Sequence, residues 1–157
     1  MPMPGSARSR PKLSASALLF VAVVAGGAGE ALLPYRVDGD RIDAPLTGRP
    51  GDPARGRALL LDLHGSTCLL CHSAPLPELH FSSTIWPSLA GVGDRLSEGQ
   101  IRLRLVDASV VNPETVMPRF YAVTGLTRVA PAYAGRPVLD AAQIEDLVAF
   151  LTTLRAP

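Results

Sequence analysis

Cys68-Leu69-Leu70-Cys71-His72 is the stretch of this sequence from which the fold can be argued. Two thiols three positions apart, followed at once by an imidazole, form the attachment pattern for c-type haem. Each thiol can add across one vinyl group of the haem, and the histidine is then held close to the iron. We therefore predict one covalent haem c, attached through Cys68 and Cys71, with His72 as an axial iron ligand.

A Cys-x-x-Cys pair has two other common uses, a dithiol redox couple and one half of a zinc site. Zinc needs further ligands, and outside the motif only His64 and His80 remain as cysteine or histidine donors. A thioredoxin-like dithiol belongs near a βαβ pattern, and this sequence has none. Haem attachment is therefore the preferred interpretation.

The first 31 residues have the three-part layout of a secretory signal peptide. A basic beginning is followed by an apolar run over residues 17–25 and then by small residues up to Ala31. Because the apolar run is too short to cross a bilayer comfortably, cleavage between Ala28 and Ala31 is favoured over a retained anchor. We predict an exported, periplasmic protein with no membrane span in its mature form.

The charge and cysteine content exclude several other classes of protein. The chain has 15 basic and 14 acidic residues, with neither a basic block that would suggest nucleic acid nor an acidic tail. Both cysteines lie in the haem motif, so no structural disulfide is available. We divide the chain into a signal peptide over residues 1–31, an extended N-terminal arm over 32–52 that is rich in Pro, Gly and Asp, and a haem-bearing domain over 53–157.

Two helices are predicted from their first residues. Asp52 before Pro53 is a cap followed by proline at the first helical position, and this helix is expected to run to about His64. Ser97 and Gln100 have the spacing of a capping box, which predicts a second helix. The apolar residues after Gln100 also alternate as they would in a strand, and the cap decides for a helix.

The third predicted helix has the clearest pattern. Asp140 is the cap, with Gln143 three positions later. A continuous apolar stripe follows, made by Ile144, Leu147, Val148, Leu151 and Leu154. The fold class is therefore all-α, with three or more helices packed around the haem and long loops that cover its faces. Arg102 and Arg104, on the second helix, are expected on a solvent-exposed face.

The second axial ligand is predicted by elimination. Met117 is the only methionine outside the signal peptide, and no lysine remains there. Pro118 biases Met117 toward an extended backbone, which suits a thioether held in a loop. His64 and His80 are the competing ligands, and ordinary core packing is the alternative role for Met117. Ligation by Met117 would close the sixth position of the iron, which favours electron transfer over gas binding or peroxide chemistry.

Residues 56–154 resemble a class I cytochrome c, and more narrowly the SoxX family of periplasmic sulfur-oxidation cytochromes. The narrower resemblance is carried by three stretches and a tail: Leu-Ala-Gly-Val-Gly-Asp-Arg over 89–95, Asn-Pro-Glu-Thr-Val-Met-Pro over 112–118, Gly-Leu-Thr-Arg-Val-Ala-Pro over 125–131, and Gly-Arg-Pro-Val-Leu over 135–139. The second and third stretches are much more specific than the haem motif, which occurs in all c-type cytochromes.

The resemblance implies a subunit, not a freestanding enzyme. Such proteins pair with SoxA, a second c-type cytochrome that carries the active-site haem. The pair acts as an L-cysteine S-thiosulfotransferase, which joins thiosulfate oxidatively to a cysteine of the carrier SoxYZ. This chain would accept the electrons and pass them to a downstream cytochrome, with no catalytic residue of its own. The alternative is a freestanding periplasmic electron-transfer cytochrome c without a thiosulfate role, and neither charge nor composition decides between the two.

The resemblance also implies roles for single residues. By matching position, Cys68 and Cys71 hold the haem, while His72 and Met117 are the two axial ligands. Pro87 stands where class I cytochromes use a proline carbonyl to accept the second ring N–H of the proximal histidine. The family commonly has glycine before this proline, whereas this chain has tryptophan, so the local turn is a point of difference.

Overall fold

A computed structural model of the chain describes Met1, residues 32–79 and residues 83–156. The predicted signal peptide beyond Met1 and the candidate ligand His80 lie outside the described residues. In the described part, no helix is both long enough and apolar enough to cross a membrane.

The regular secondary structure of the described residues is helical, and these residues contain no β-strand. The α-helices, in chain order, are α1 Pro53–Leu61, α2 Val92–Arg95, α3 Glu98–Asp107 and α4 Ala141–Leu151. Short 3₁₀ turns occur at Cys68–Leu70, Ala108–Val110 and Pro131–Tyr133. The predicted all-α class is therefore confirmed for the described residues, and a long connection joins α3 to α4.

Helix α1 begins as predicted but ends earlier. The Asp52 carboxylate accepts hydrogen bonds from the backbone N–H groups of Ala54 and Arg55, at 2.8 and 3.1 Å. The helix ends at Leu61, three residues before the predicted end, because Asp62 leaves the helical conformation. The Asp62 carboxylate accepts from the backbone N–H of His64 at 2.9 Å, and this local bond competes with a further helical turn.

Both predicted capping boxes are formed. At the start of α3, Gln100 N–H donates to Ser97 Oγ at 3.3 Å and Ser97 N–H donates to Gln100 Oε1 at 2.9 Å. At the start of α4, Asp140 and Gln143 exchange the same two bonds at 2.8 and 2.9 Å. Each box satisfies two backbone donors that the first helical turn leaves open. The segment that could have been a strand is therefore a helix.

The core is built where α1 crosses α4. A Cβ atom at Gly56 would collide with the carbonyl oxygen of Asp146, so the two backbones approach at a distance that only glycine allows. Along α4, the apolar stripe is buried, with Ile144 and Leu147 fully inaccessible to solvent. Helix α3 also packs against α4. This arrangement fixes the two helices that flank the loops of the candidate site.

Residues 32–52, the predicted extended arm, contain no helix, and two of their side chains belong to the core. Ile42 is 1% exposed and Leu46 is 7% exposed. Ile42 N–H donates to the carbonyl oxygen of Gly99 at 3.0 Å, which ties the segment to the first turn of α3. The segment therefore packs against the helices along its middle.

Arg102 corrects one expectation from the sequence. It was expected on a solvent-exposed face of α3, yet its side chain is 1% exposed. Its Nε and Nη2 atoms donate to the two carboxylate oxygens of Glu145, and its Nη1 donates to the carbonyl oxygen of Ile42 at 2.6 Å. Because every bond goes to a partner distant in sequence, local periodicity could not reveal this burial.

Candidate haem-binding site

A cavity of about 250 Å³ opens where the Cys68–Leu70 turn faces the loop after α3. Its wall contains all four residues that the sequence assigned to the haem, Cys68, Cys71, His72 and Met117. We call this cavity the first lobe, because a second lobe of about 370 Å³ lies beside it. The two lobes share His72 and Met117, and the other lining residues of each lobe are its own. The imidazole and the thioether therefore lie at the junction of the two lobes.

The motif itself is a tight turn. The backbone N–H groups of Cys71 and His72 both donate to the carbonyl oxygen of Cys68, at 3.2 and 3.0 Å. The turn is entered through Thr67, whose φ of 58° lies in the left-handed region. The turn brings both thiols and the imidazole to one cavity wall.

Both cysteines are free thiols. Burial raises the pKa of the Cys68 thiol, although its hydrogen bond to the Ser66 carbonyl oxygen acts in the opposite direction. Both side chains are in the reduced thiol form that addition to a vinyl group requires.

The imidazole of His72 is oriented by a backbone carbonyl. Its Nδ1 atom lies 2.8 Å from the carbonyl oxygen of Pro87. Since that oxygen can only accept, Nδ1 carries the proton and Nε2 keeps its lone pair for a metal. The loop is held in place on either side of Pro87, because Trp86 N–H donates to the Cys71 carbonyl and Leu89 N–H donates to the Ser73 carbonyl. Tryptophan before the proline does not prevent this contact.

Met117 lies in a loop that is restrained by a hydrogen bond of its own backbone. Its N–H donates to Thr115 Oγ1 at 3.1 Å, and Thr115 N–H donates to the carbonyl oxygen of Asn112 at 3.0 Å. Three residues later, Phe120 N–H donates to the carbonyl oxygen of Leu105 in α3 at 3.3 Å. The half-buried Met117 side chain is thus presented from a loop that is tied at both ends.

The lining of both lobes suits haem. Apolar side chains dominate both lobes, among them Leu70, Trp86, Val116 and Phe120 in the first and Leu89, Val92, Leu96, Ile101, Leu105 and Leu151 in the second. An apolar slot with one nitrogen donor, one thioether and two thiols matches a flat apolar macrocycle that is tethered at one edge and ligated through its iron. The residues present fit haem c.

The competing assignments have less support from the described residues. His64 is exposed, lies beyond the end of α1 and lines neither lobe. Across residues 32–79 and 83–156, no group of three or more His, Cys, Asp or Glu side chains is placed to hold a metal ion. The zinc interpretation therefore gains no ligand set in this part of the chain.

Two arginines of the site were missed at the sequence level. Arg95 and Arg104 line the second lobe, although Arg104 was expected on a solvent-exposed face. A signal for Arg104 existed in its spacing, because it lies three residues after the buried Ile101 and therefore on the same side of α3. For Arg95 we find no such signal, since α2 spans only four residues.

A helical domain in which a Cys-x-x-Cys-His turn and a loop methionine face one apolar cavity defines a cytochrome. Among solved structures, the chain is similar to SoxXA from P. pantotrophus, with 37% sequence identity, a TM-score of 0.71, and coverage of 77% of this chain and 94% of that chain. The chain therefore belongs to the SoxX family and is a cytochrome subunit of the Sox type. No family model matches the sequence, and no curated protein matches it.

Proposed function

We propose that this chain is the monohaem electron-transfer subunit of a SoxAX-like complex that oxidatively joins thiosulfate to a cysteine of a SoxYZ-like carrier protein. One observation carries the proposal: His72, with its Nε2 lone pair available, and Met117 face the same apolar cavity as both thiols of the motif. A methionine ligand stabilises ferrous iron and fills the sixth position, which suits an acceptor of electrons.

The chemistry places the reacting sulfur atoms on other subunits. A bond forms between the sulfur of the carrier cysteine and the outer sulfur of thiosulfate. The cysteine thiol loses its proton, and the two sulfur atoms together give up two electrons. When bound, haem c supplies the uptake and release of one electron at a time. Because this chain has no cysteine outside its haem motif, the catalytic centre is assigned to the SoxA-like partner, and the electrons pass from this chain to a downstream cytochrome.

The residues of this chain have three tasks in that role. Cys68 and Cys71 tether the haem as thioethers. Pro87 holds the proton of His72 on Nδ1, so that Nε2 is directed to iron. The apolar lining of the two lobes keeps water from the iron, and Thr115 positions the loop that carries the second axial ligand.

Export to the periplasm is part of the proposal, because the sequence begins with the layout of a signal peptide. Expression of the full chain together with a haem-attachment system, followed by N-terminal sequencing of the periplasmic product, tests it. The expected product starts after a bond between Ala28 and Ala31 and carries covalent haem. A product that retains residues 1–31 would contradict export by cleavage.

The thiosulfate role is tested by following haem reduction in the purified protein. We expect thiosulfate to reduce this haem only when the SoxA-like partner and the carrier are both present, and we expect this chain and the partner to purify as a 1:1 complex. A carrier whose reactive cysteine is replaced by serine is the matched control and should abolish the reduction. A monomer that exchanges electrons with other cytochromes but never responds to thiosulfate would favour the freestanding electron carrier instead.

A further inference from the structure

Phe120 and Tyr121 are neighbours in the chain, and their side chains line two different cavities. Phe120 lines the first lobe of the haem cavity together with Met117. Tyr121 lines a separate cavity of about 330 Å³, together with Leu32 and Leu33 of the N-terminal segment. Both aromatic side chains are buried, at 3% exposure each. A displacement of Tyr121 therefore reaches the wall of the haem cavity through a single peptide bond.

The N-terminal segment binds the Tyr121 side chain at two points. Leu33 N–H donates to Tyr121 Oη at 2.7 Å. The rings of Tyr35 and Tyr121 contact each other, with centroids 6.2 Å apart and planes inclined by 51°, which is within the range of stabilising aromatic pairs. Leu32 is half-buried and packs against the core. We call residues 32–35 the N-terminal strap.

The strap is anchored to the helices by the residues that follow it. The chain reverses direction in a turn where Asp38 and Arg41 exchange two backbone hydrogen bonds, at 2.9 and 3.2 Å. Directly after the turn, the carbonyl oxygen of Ile42 accepts from the buried Arg102 of α3 at 2.6 Å. Because the far side of the turn is fixed in this way, the strap loses less conformational freedom when it binds Tyr121.

The backbone beside Tyr121 leads to the second predicted axial ligand. Phe120 N–H donates to the carbonyl oxygen of Leu105 in α3 at 3.3 Å, and the Phe120 carbonyl oxygen accepts from Leu139 N–H at 3.0 Å. These bonds and the strap hold Phe120 and Tyr121 from three directions. Only two residues separate this pair from Met117. The position of the pair therefore limits how far the Met117 loop can move.

We propose that Tyr121 is a positioning residue for the axial ligand Met117, and that the N-terminal strap acts through Tyr121 to keep the thioether on the iron. The inference rests on the proposed function, because it requires haem c ligated by Met117. Thioether sulfur favours ferrous over ferric iron. In the ferric protein, the lifetime of the bond therefore depends on how firmly the chain holds the Met117 loop.

The test measures how fast imidazole replaces Met117 on the ferric haem of the holoprotein, at imidazole concentrations where release of the thioether limits the rate. Tyr121→Phe removes the oxygen that accepts the Leu33 N–H. It is expected to raise the rate about fivefold, the factor that corresponds to one hydrogen bond of about 1 kcal/mol. Tyr35→Phe makes the same change on a ring that is 42% exposed, so this matched control should exchange ligands like the wild type.

Leu33→Pro breaks the same hydrogen bond from the other side, because proline has no backbone N–H. It should also raise the exchange rate about fivefold, and it carries the test alone if Tyr121→Phe loads haem poorly. The double variant Leu33→Pro/Tyr121→Phe should exchange no faster than Tyr121→Phe, since both changes remove one shared contact.

Gly56→Ala separates this role from general stability. The substitution acts where α1 contacts α4, and a Cβ atom there would collide with the Asp146 carbonyl. It should lower the free energy of unfolding in urea and leave the rate of imidazole exchange at the wild-type value. The rate then reports the hold on the Met117 loop and not the stability of the whole domain.

Each of four results would overturn the proposal. The first is a Tyr121→Phe protein with the wild-type exchange rate. The second is a double variant whose increase equals the product of the two single increases, because Leu33 and Tyr121 would then act separately. The third is a Gly56→Ala protein that exchanges as fast as Tyr121→Phe. The fourth is a wild-type protein without covalent haem or without the ferric sulfur-to-iron band, which would overturn the proposed function as well and is recognised before any variant is made.

Discussion

Arg102 and Glu145 form a two-pronged ion pair in the core, with Nε to Oε1 at 2.8 Å and Nη2 to Oε2 at 2.9 Å, and both side chains are at most 2% exposed. The same pair organises the segment before α1. Arg102 donates to the carbonyl oxygen of Ile42, and Glu145 accepts from the backbone N–H of Leu46 at 2.8 Å. The pair therefore joins α3, α4 and residues 42–46 at one point.

Substitution of Arg102 by methionine is expected to lower the free energy of unfolding by about 3–5 kcal/mol, because Glu145 is left buried without its cation. Urea unfolding followed by far-UV circular dichroism measures this loss. Arg41→Met is the matched control, since Arg41 pairs with Asp43 at the surface, and its loss should be much smaller. The double variant Arg102→Met/Glu145→Leu should recover much of the stability. Equal losses for the two single variants would contradict the structural role of the buried pair.

Gly56 is expected to be intolerant of any side chain. In a helix interior, replacing glycine by alanine ordinarily stabilises the helix by about 0.5–1 kcal/mol. Here the new Cβ would meet the Asp146 carbonyl and the Phe150 side chain, so Gly56→Ala should instead destabilise the protein by about 1–3 kcal/mol. Ala58→Gly, at an exposed position of the same helix, calibrates the propensity effect and should cost about 1 kcal/mol. A more stable Gly56→Ala protein would show that α1 and α4 do not touch there.

Asp146 predicts a dependence of stability on pH. Burial raises the pKa of its carboxyl, but hydrogen bonds from Arg55 and from the Asp52 backbone N–H outweigh this and hold the pKa below its ordinary value of 3.8. A group whose folded-state pKa is lowered stabilises the fold above its unfolded-state pKa and loses that effect as pH falls through the folded-state value. Wild-type stability should therefore fall as the pH drops from about 5 toward and below the lowered pKa.

Asp146→Asn is the variant that isolates this contribution. It should be less stable than the wild type at neutral pH and should show a flatter decline in acid, because the asparagine does not titrate. Urea unfolding at a series of pH values measures both curves. Two curves that run parallel through the acid range would contradict the assignment.

Thr115 is expected to control how firmly the Met117 loop is held. Thr115→Val keeps the shape of the side chain but removes the oxygen that accepts the Met117 N–H. The loss of one hydrogen bond, worth about 1 kcal/mol, should let the thioether be displaced from ferric haem at a lower pH than in the wild type. An alkaline titration of the ferric sulfur-to-iron band measures the midpoint. Thr127→Val changes an exposed threonine and is the control, so its titration midpoint should equal that of the wild type. A Thr115→Val midpoint equal to the wild-type midpoint would show that Thr115 does not hold the Met117 loop.

Local signals predicted a large part of this fold. The cap residues Asp52, Ser97 and Asp140 mark the starts of three helices, because a helix start is satisfied by residues within three positions of each other. The resemblance to the SoxX family rests likewise on short contiguous stretches. The membership that the structural comparison shows agrees with it.

Contacts between distant residues account for what the sequence did not predict. Arg102 is buried by a partner 43 positions away, and no periodicity within α3 contains that information. The packing of residues 32–52 depends on the contact of Ile42 with Arg102 of α3, 60 positions away. The early end of α1 is a different case, because it depends on a local hydrogen bond, from the His64 N–H to the Asp62 carboxylate. The cap and the proline that predict where this helix starts do not predict where it ends.

The central claim is that a covalent haem lies between His72 and Met117, and the near-infrared absorption of the ferric protein tests it most directly. Wild-type protein should show the sulfur-to-iron charge-transfer band. Met117→Ala should lose it while keeping the haem, because the thioethers of Cys68 and Cys71 remain. A band that survives in Met117→Ala, or a wild-type protein that lacks the band and binds small ligands at an open sixth position, would contradict the account.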